Sequence, residues 1–272
     1  QQNIEIPFFN YYLKGEGDIS AIKEAMIFFT GANEWKEFDR WPPAAKQDKL
    51  LYLQNDGKLS WSKPSNDKGS SRYVSDPSKP VPYTEDIHSK RTRNYMNDDQ
   101  RFAARRPDVL VFQTEALTEE VTVAGAVTAE LLASISTTDA DFVVKLIDVF
   151  PDDFSYDDAV REKITYPMGG YQMLVHGEIL RGKFRNSFER PAPFTPGKTE
   201  KVSYTLGDIA HTFKKGHRIM VQIQSSWFPL ADRNPQKFTD IYQAKATDFQ
   251  PSAINIYHNK NSSSSIRLPV LK

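Results

Sequence analysis

Hydrolytic chemistry needs a nucleophile, a base and an acid that orients the base, and this sequence offers few of each. It has five histidines, His88, His176, His211, His217 and His258, and no cysteine, which excludes thiol catalysis, disulfides and thiolate metal sites. No G-x-S-x-G elbow, the turn that exposes a serine above an α/β-hydrolase sheet, occurs in the chain. A triad drawn from Ser225 or Ser226, His217 and Asp208 or Asp232 rests only on closeness in sequence. Ser225 closes a run in which Ile219, Val221 and Ile223 alternate as a buried strand face, so its hydroxyl is expected to serve local backbone groups. His217 lies in Lys215-Gly216-His217-Arg218, a turn entering that strand, and reads as a structural hydrogen-bonding residue.

The carboxylates are no more promising. Asp148 interrupts an apolar strand, where an unpaired charge is costly, so a backbone or arginine partner is expected, with Arg218 and Arg185 as candidates. Asp139 with Asp141, Asp152 with Asp153, and Asp157 with Asp158 lack the ligand spacing and glycine of an EF-hand loop and read as solvated loop charge. Glycine-rich phosphate loops and paired histidines at helical spacing are missing too, so neither a cofactor nor a metal is expected. Trp35, Trp41, Trp61 and Trp227 would signal sugar binding if they formed an exposed row; packing in a core or interface is their commoner use. Trp35 and Trp41 flank a loop ending in Pro42-Pro43 that could seat the protein on a neighbouring domain.

The elements that would carry these residues are β-strands. Val127, Ala129, Leu131, Ala133 and Ile135 alternate with Thr128, Glu130, Ser134 and Ser136, the period-2 pattern of a sheet with one buried face. The run 142–150 is apolar on both faces apart from Lys145 and Asp148, as in a central strand covered on both sides. Runs at 26–29, 50–54, 177–184, 202–206, 218–225, 254–258 and 266–271 complete a series at sandwich-like spacing, with Ser262–Ser265 read as a hairpin loop. No long amphipathic helix alternates with them, which excludes doubly wound and TIM architectures and predicts a mainly β fold, a jelly-roll β-sandwich. The one predicted helix, Ile6 to Leu13, starts with Pro7, is nearly all apolar, and stops at Gly15; it needs a surface to bury itself against. Between Ser60 and Arg106 runs a long polar, proline-bearing stretch, longer than an ordinary connection.

Whole-chain composition narrows the partners. Lys plus Arg and Asp plus Glu both number 35, so no summed field draws nucleic acid or an anionic membrane. No apolar run approaches the roughly 18 residues that span a bilayer, and the absence of cysteine leaves the compartment open. The chain opens at Gln1 without a methionine or leader, which reads as a processed or trimmed precursor.

Many short motifs fall in one order: Pro7-Phe8-Phe9-Asn10-Tyr11-Tyr12-Leu13-Lys14-Gly15, Gly31-Ala32-Asn33-Glu34-Trp35, Trp41-Pro42-Pro43, Asp76-Pro77, and Pro80-Val81-Pro82. Asp99-Gln100-Arg101-Phe102, Arg106-Pro107-Asp108-Val109-Leu110, the run from Asp141 to Val149, Gly216-His217-Arg218 and Arg233-Asn234-Pro235 follow. In these the chain resembles the CocE/NonD hydrolases, which include cocaine esterase, α-amino-acid ester hydrolases and glutaryl acylase-like proteins. The resemblance implies an α/β-hydrolase domain and a helical cap upstream, holding the whole Ser-Asp-His triad, followed by a jelly roll shared with X-Pro dipeptidyl-peptidases. It implies that residues 1–18 are the tail of the hydrolase domain and 19–272 the jelly roll. It also implies a periplasmic or secreted setting, a small ester or amide substrate, and a capacity for homo-oligomers. On this reading the chain has no catalytic residue of its own. The loop from Asp76 to Phe102 is expected to help wall the substrate pocket through Tyr83, His88, Tyr95 or Met96. The alternative is a free-standing carbohydrate-binding module, which requires the exposed aromatic row.

Overall fold

The computed structural model describes residues 2–20, 22–90, 92–155 and 167–271. Its centre is the strand predicted from the alternation, here begun six residues earlier as Val121–Ile135; its inward side chains Val123, Val127, Ala129, Leu131, Ala133 and Ile135 are buried. Numbered in chain order, the strands are β1 Ala25–Phe29, β2 Glu34–Phe38, β3 Gln47–Leu53, β4 Leu59–Ser60, β5 Ser70–Ser75, β6 Leu110–Gln113 and β7 Val121–Ile135. Then come β8 Asp141–Val149, β9 Gln172–Arg181, β10 Glu200–Phe213, β11 Arg218–Gln224, β12 Ser252–Tyr257 and β13 Ser265–Val270.

Two antiparallel sheets make the sandwich. The larger carries β10 along one edge of β7, and on the other edge β13 with β3 and β4, and β12 with β5. The smaller has the order β6-β11-β8-β9. Their facing side chains interdigitate as one core: β7 and Ile254, Ile256, Ile266 and Leu268 from one side, Phe142, Val144, Leu146, Ile219, Val221 and Ile223 from the other. The Tyr204 hydroxyl of β10 donates to the Phe142 carbonyl of β8 at 2.8 Å, closing the open flank between the sheets. β1 and β2 form a separate hairpin, fastened to β10 where Thr30 N–H donates to Ala210 O and Thr212 N–H donates to Thr30 O.

Ser262–Ser265 does not turn a hairpin between β12 and β13. Those strands lie end to end along β7, β12 opposite residues 133–135 and β13 opposite residues 123–130, with the excursion 258–264 folding back on itself through a bridge between His258 and Ser263. Ser264 fills the gap in the ladder: its hydroxyl accepts from Leu132 N–H and donates to Tyr257 O. The predicted helix is present as α1, Glu5–Phe9, continued by a wider turn at Asn10–Lys14 and stopped by Gly15 at φ 70°, a left-handed conformation that glycine adopts without a Cβ penalty. None of its side chains is buried.

β8 follows its predicted two-sided burial. Phe142, Val144, Leu146 and Asp148 face the core, while Val143, Lys145 and Ile147 face outward beneath other chain segments. The partners expected for Asp148 are not the ones it has. Arg185 forks onto Glu200 at 2.6–2.9 Å, and Arg218 donates to Thr114 O. Asp148 instead accepts from His217 Nδ1 at 2.8 Å and His211 Nε2 at 3.2 Å, while His211 Nδ1 lies 2.8 Å from Thr30 Oγ1. His211 belongs to the opposite sheet, so the carboxylate bridges the two sheets and the β1 hairpin. Burial pushes the Asp148 carboxyl up, and the hydrogen bonds and charges of the two histidines outweigh it, holding the group below its usual value. Asp148→Ala, which strands two buried imidazoles, is expected to cost about 3–5 kcal/mol at neutral pH by chemical denaturation. Because the folded carboxyl is the stronger acid, that difference is present above the ordinary value of 3.8 and shrinks as the pH falls below it.

Candidate functional site

The outward face of the smaller sheet is covered by the long excursion that leaves β5 and returns at β6. Its first part is a strand, since β5 pairs with β12 although only Tyr73 and Ser75 of its six residues are buried. The stretch from Asp76 to Phe102 then lies over β8, β9 and β11, and it is fastened at both ends. At the start, Arg233 Nη1 donates to Pro77 O at 2.9 Å and Gln236 Nε2 to Ser75 O at 2.8 Å, while Arg106 forks onto Asp108 and also donates to Lys79 O. Val81 N–H donates to Ser226 Oγ, and Tyr83 and Phe228 form a pair of backbone bonds, Tyr83 N–H to Phe228 O and Phe228 N–H to Val81 O. At the far end Gln100 N–H donates to Gln172 O at 3.0 Å, and Asp99 binds the Arg101 side chain and accepts from Gln172 N–H. The short motifs quoted from the sequence are thus the fasteners, and the residues between them, about 85 to 96, carry most of the loop's exposed side chains.

The four residues expected to meet substrate divide into two pairs. Tyr83 is buried and Tyr95 half-buried; their rings lie 5.3 Å apart, and Tyr95 meets Trp227 edge-on at 6.1 Å. The Tyr83 hydroxyl also accepts from Thr92 N–H at 3.0 Å, so it braces the loop from within. His88 and Met96 are exposed, Met96 at 55% of its surface. Tyr83 and His88 share the wall of a cleft of about 440 Å³ with Pro82, Ile87, Phe228 and Leu230; Met96 is not part of that wall.

Trp227 escaped the sequence reading as a site residue. It is the floor on which the loop rests, packed with Tyr83 and Val143. The glycine opposite is its counterpart: a Cβ on Gly177 would stand 2.9 Å from Trp227 Cη2.

No triad forms. Ser225 Oγ is 2.7 Å from the Tyr73 hydroxyl, Ser226 Oγ is taken by Val81 N–H, His217 is held by Asp148, and Asp208 accepts from Trp41 Nε1 at 2.6 Å. Asp139 and Asp141 are not solvated loop charge but buried. Asp139 accepts from the N–H groups of Ala140 and Lys183, Asp141 from Arg181, and Asn234 donates to both. Burial, helped by the charge of Asp141, pushes Asp139 up to about 6. Asp152 and Asp153 are exposed, and Asp157 with Asp158 lies outside the described residues. Among the described residues no group of three or more His, Asp and Glu side chains converges as a metal site, and no helix is long and apolar enough to cross a membrane. The tryptophans form no exposed row: Trp35 is 66% exposed on β2, Trp61 less so after β4, Trp41 packs on Phe29 and Phe38, and Trp227 is buried.

Residues 17–266 match the X-Pro dipeptidyl-peptidase C-terminal non-catalytic domain. The chain belongs to that family. Among solved structures, this X-Pro dipeptidyl-peptidase C-terminal domain matches an aminopeptidase from the marine sediment archaeon Thaumarchaeota archaeon with a TM-score of 0.90 and 39% identity, over 100% of this chain and 44% of that one. An α-amino acid ester hydrolase matches with a TM-score of 0.88 and 42% identity, over 97% of this chain and 44% of its own. Cocaine esterase of Rhodococcus sp. is 30% identical over 274 residues, 97% of this chain and 45% of the esterase. The resemblance to CocE/NonD hydrolases is borne out, and the domain spans under half the length of these relatives.

In this non-catalytic domain the two residue pairs should respond differently to truncation. Tyr83→Ala is expected to cost about 3 kcal/mol and to open the 84–97 segment to limited proteolysis, while His88→Ala and Met96→Ala stay within about 0.5 kcal/mol of the wild type. Denaturation midpoints and the cleavage map distinguish these outcomes.

Proposed function

We propose that the domain serves a serine hydrolase of small ester or amide substrates, docking on α/β-hydrolase and cap domains that precede it and supplying part of the acyl-pocket wall. The nucleophile on this reading is an upstream serine, acylated by substrate and then deacylated by water. The observation that carries the docking is α1: Phe8, Phe9, Tyr12 and Leu13 are all exposed, and across a cleft of about 810 Å³ this helix and the following segment face Trp35 through Phe8, Tyr12, Ile19 and Ile22. So much contiguous apolar surface on one side marks an interface. On this reading residues 1–18 belong to the hydrolase domain and 19–272 form the accessory domain.

The loop reading is supported by its construction. A segment bolted at both ends to the sandwich, with His88 and Met96 facing out between the bolts, presents side chains to a neighbour without depending on that neighbour for its shape.

The isolated chain is expected to show no ester or amide turnover above a catalyst-free blank. In a protein carrying both parts, alanine at His88 and Met96 together is expected to raise KM about 3–10-fold for substrates that differ in their acyl group, with kcat changed less. Turnover by the isolated chain that survives active-site titration overturns the accessory role, and unchanged kinetics with alanine at Tyr83, His88, Tyr95 and Met96 overturns the pocket-wall role.

A further inference from the structure

Lys145 is a fully buried lysine in the middle of a sheet (0% exposed). Its neighbours across the ladder are Gln222 in β11 and Gly177 in β9, and its side chain rises from the outward face into the layer beneath the loop. Nζ donates to Gln100 Oε1 at 2.9 Å and lies 5.3 Å from the Trp227 ring centre and 5.6 Å from that of Phe102. Two ring faces and a neutral carbonyl stabilise an ammonium weakly compared with a carboxylate, and among the described residues no carboxylate pairs with it. Burial alone pushes its pKa down to about 7, with no charged group contributing.

Gln100 is also where the loop is tied to the sheet. Its N–H donates to Gln172 O of β9, its carbonyl accepts from Gln222 Nε2 of β11 at 3.1 Å, and its side chain accepts from Lys145 of β8. One loop residue therefore meets three strands, and the third bond depends on the lysine. The other ionisable groups around the seat are accounted for. Asp99 is bonded to the Arg101 side chain, Asp98 accepts from Thr84, and β11, β9 and the 225–231 segment present Gln222, Gly177, Trp227 and Leu230. Tyr83 and Tyr95, packed about Trp227, are titratable side chains that also face this layer.

We propose that Lys145 is the positioning residue that seats the 76–102 loop on the four-stranded sheet, and that protonating its amine loosens that seat. Its bearing on catalysis rests on the reading of the loop as a pocket wall; the seat itself does not. When the loop lifts, Lys145 regains water and its ordinary basicity of 10.5. The lifted state thus binds the proton more tightly, and lifting becomes easier as the pH falls from about 10.5 towards 7, levelling off below. Between pH 9 and pH 6 the change amounts to about 100-fold in the opening equilibrium.

The test is amide hydrogen exchange on this chain from pH 6 to pH 9, expressed as protection factors so that the intrinsic pH dependence cancels. The reporters are the N–H groups of Tyr83, Thr92 and Gln100, with β7 amides as the internal reference. In the wild type, loop protection is expected to fall about 100-fold from pH 9 to pH 6 relative to β7. Lys145→Met should remove the slope, and Gln100→Glu, which gives the ammonium a carboxylate, should flatten it with the lysine still present. A flat wild-type profile, or a wild-type slope in Lys145→Met, would overturn the proposal; if Lys145→Met does not fold, Gln100→Glu decides, since an unchanged slope there would also overturn it. None of these readings involves turnover, so a failure here leaves the pocket-wall reading to its own kinetic test.

Discussion

A sheet covered on both faces offers no water to its polar side chains, so each one must find a partner within the protein. The four-stranded sheet is such a sheet, and β8, one of its two inner strands, carries a polar residue towards each side: Asp148 into the core, Lys145 under the loop. For these two charged groups the rest of the architecture answers that constraint. On the inner side the answer is ionic and complete, two imidazoles on one carboxylate, drawn from β10 and from the turn before β11. On the outer side it is sparse, one amide oxygen and two aromatic rings.

That asymmetry sorts the molecule into a rigid part and an adjustable one. The two sheets are locked together by side chains that reach across the sandwich, Asp148 to His211 and Tyr204 to the Phe142 carbonyl. The loop is held at its ends, by Arg233, Gln236 and Arg106 near Asp76 and by Asp99 and Gln100 near Phe102, and is braced between them by Tyr95 against Trp227 and by the Tyr171 hydroxyl, which donates to Asn97 O. Between these braces the exposed side chains, Ile87, His88 and Met96 among them, can differ without disturbing the sandwich. On the proposed reading of the loop as a pocket wall, this division lets the frame hold still while the presented surface varies.

Much of the frame was legible in the sequence because it follows from periodicity. β7 and β8 could be read from alternation and from continuous apolarity, and β11, β12 and β13 from short apolar runs. The strands that escaped were those whose burial is too slight to leave a pattern. β2 is Glu-Trp-Lys-Glu-Phe with none of its residues buried, and β5 buries only Tyr73 and Ser75. Partners across the fold escaped for another reason. The likeliest ion-pair partner for Asp148 by charge was an arginine, but the neighbours of its carboxylate are set by how two sheets face each other, which no spacing records. Asp139 and Asp141 were misjudged in the same way: Asn234, about 95 residues away in the chain, turns a pair of loop acids into a buried cluster. The loop stood out by its length and its prolines, whereas Trp227 beneath it resembled any other core tryptophan.

The end-to-end placement of β12 and β13 has a use in engineering. Both strands are registered independently against β7, and the seven residues between them form a closed detour tied back to the sheet by Ser264 and, through His258 N–H to Gly69 O and Lys260 N–H to Asn66 O, to the segment before β5. Residues added just after Asn261, beyond the bond of Lys260 N–H to Asn66 O, lengthen the detour without slipping either register. The tip is therefore a natural port for grafting an epitope or an affinity handle, one that leaves the frame and the loop on the opposite sheet untouched.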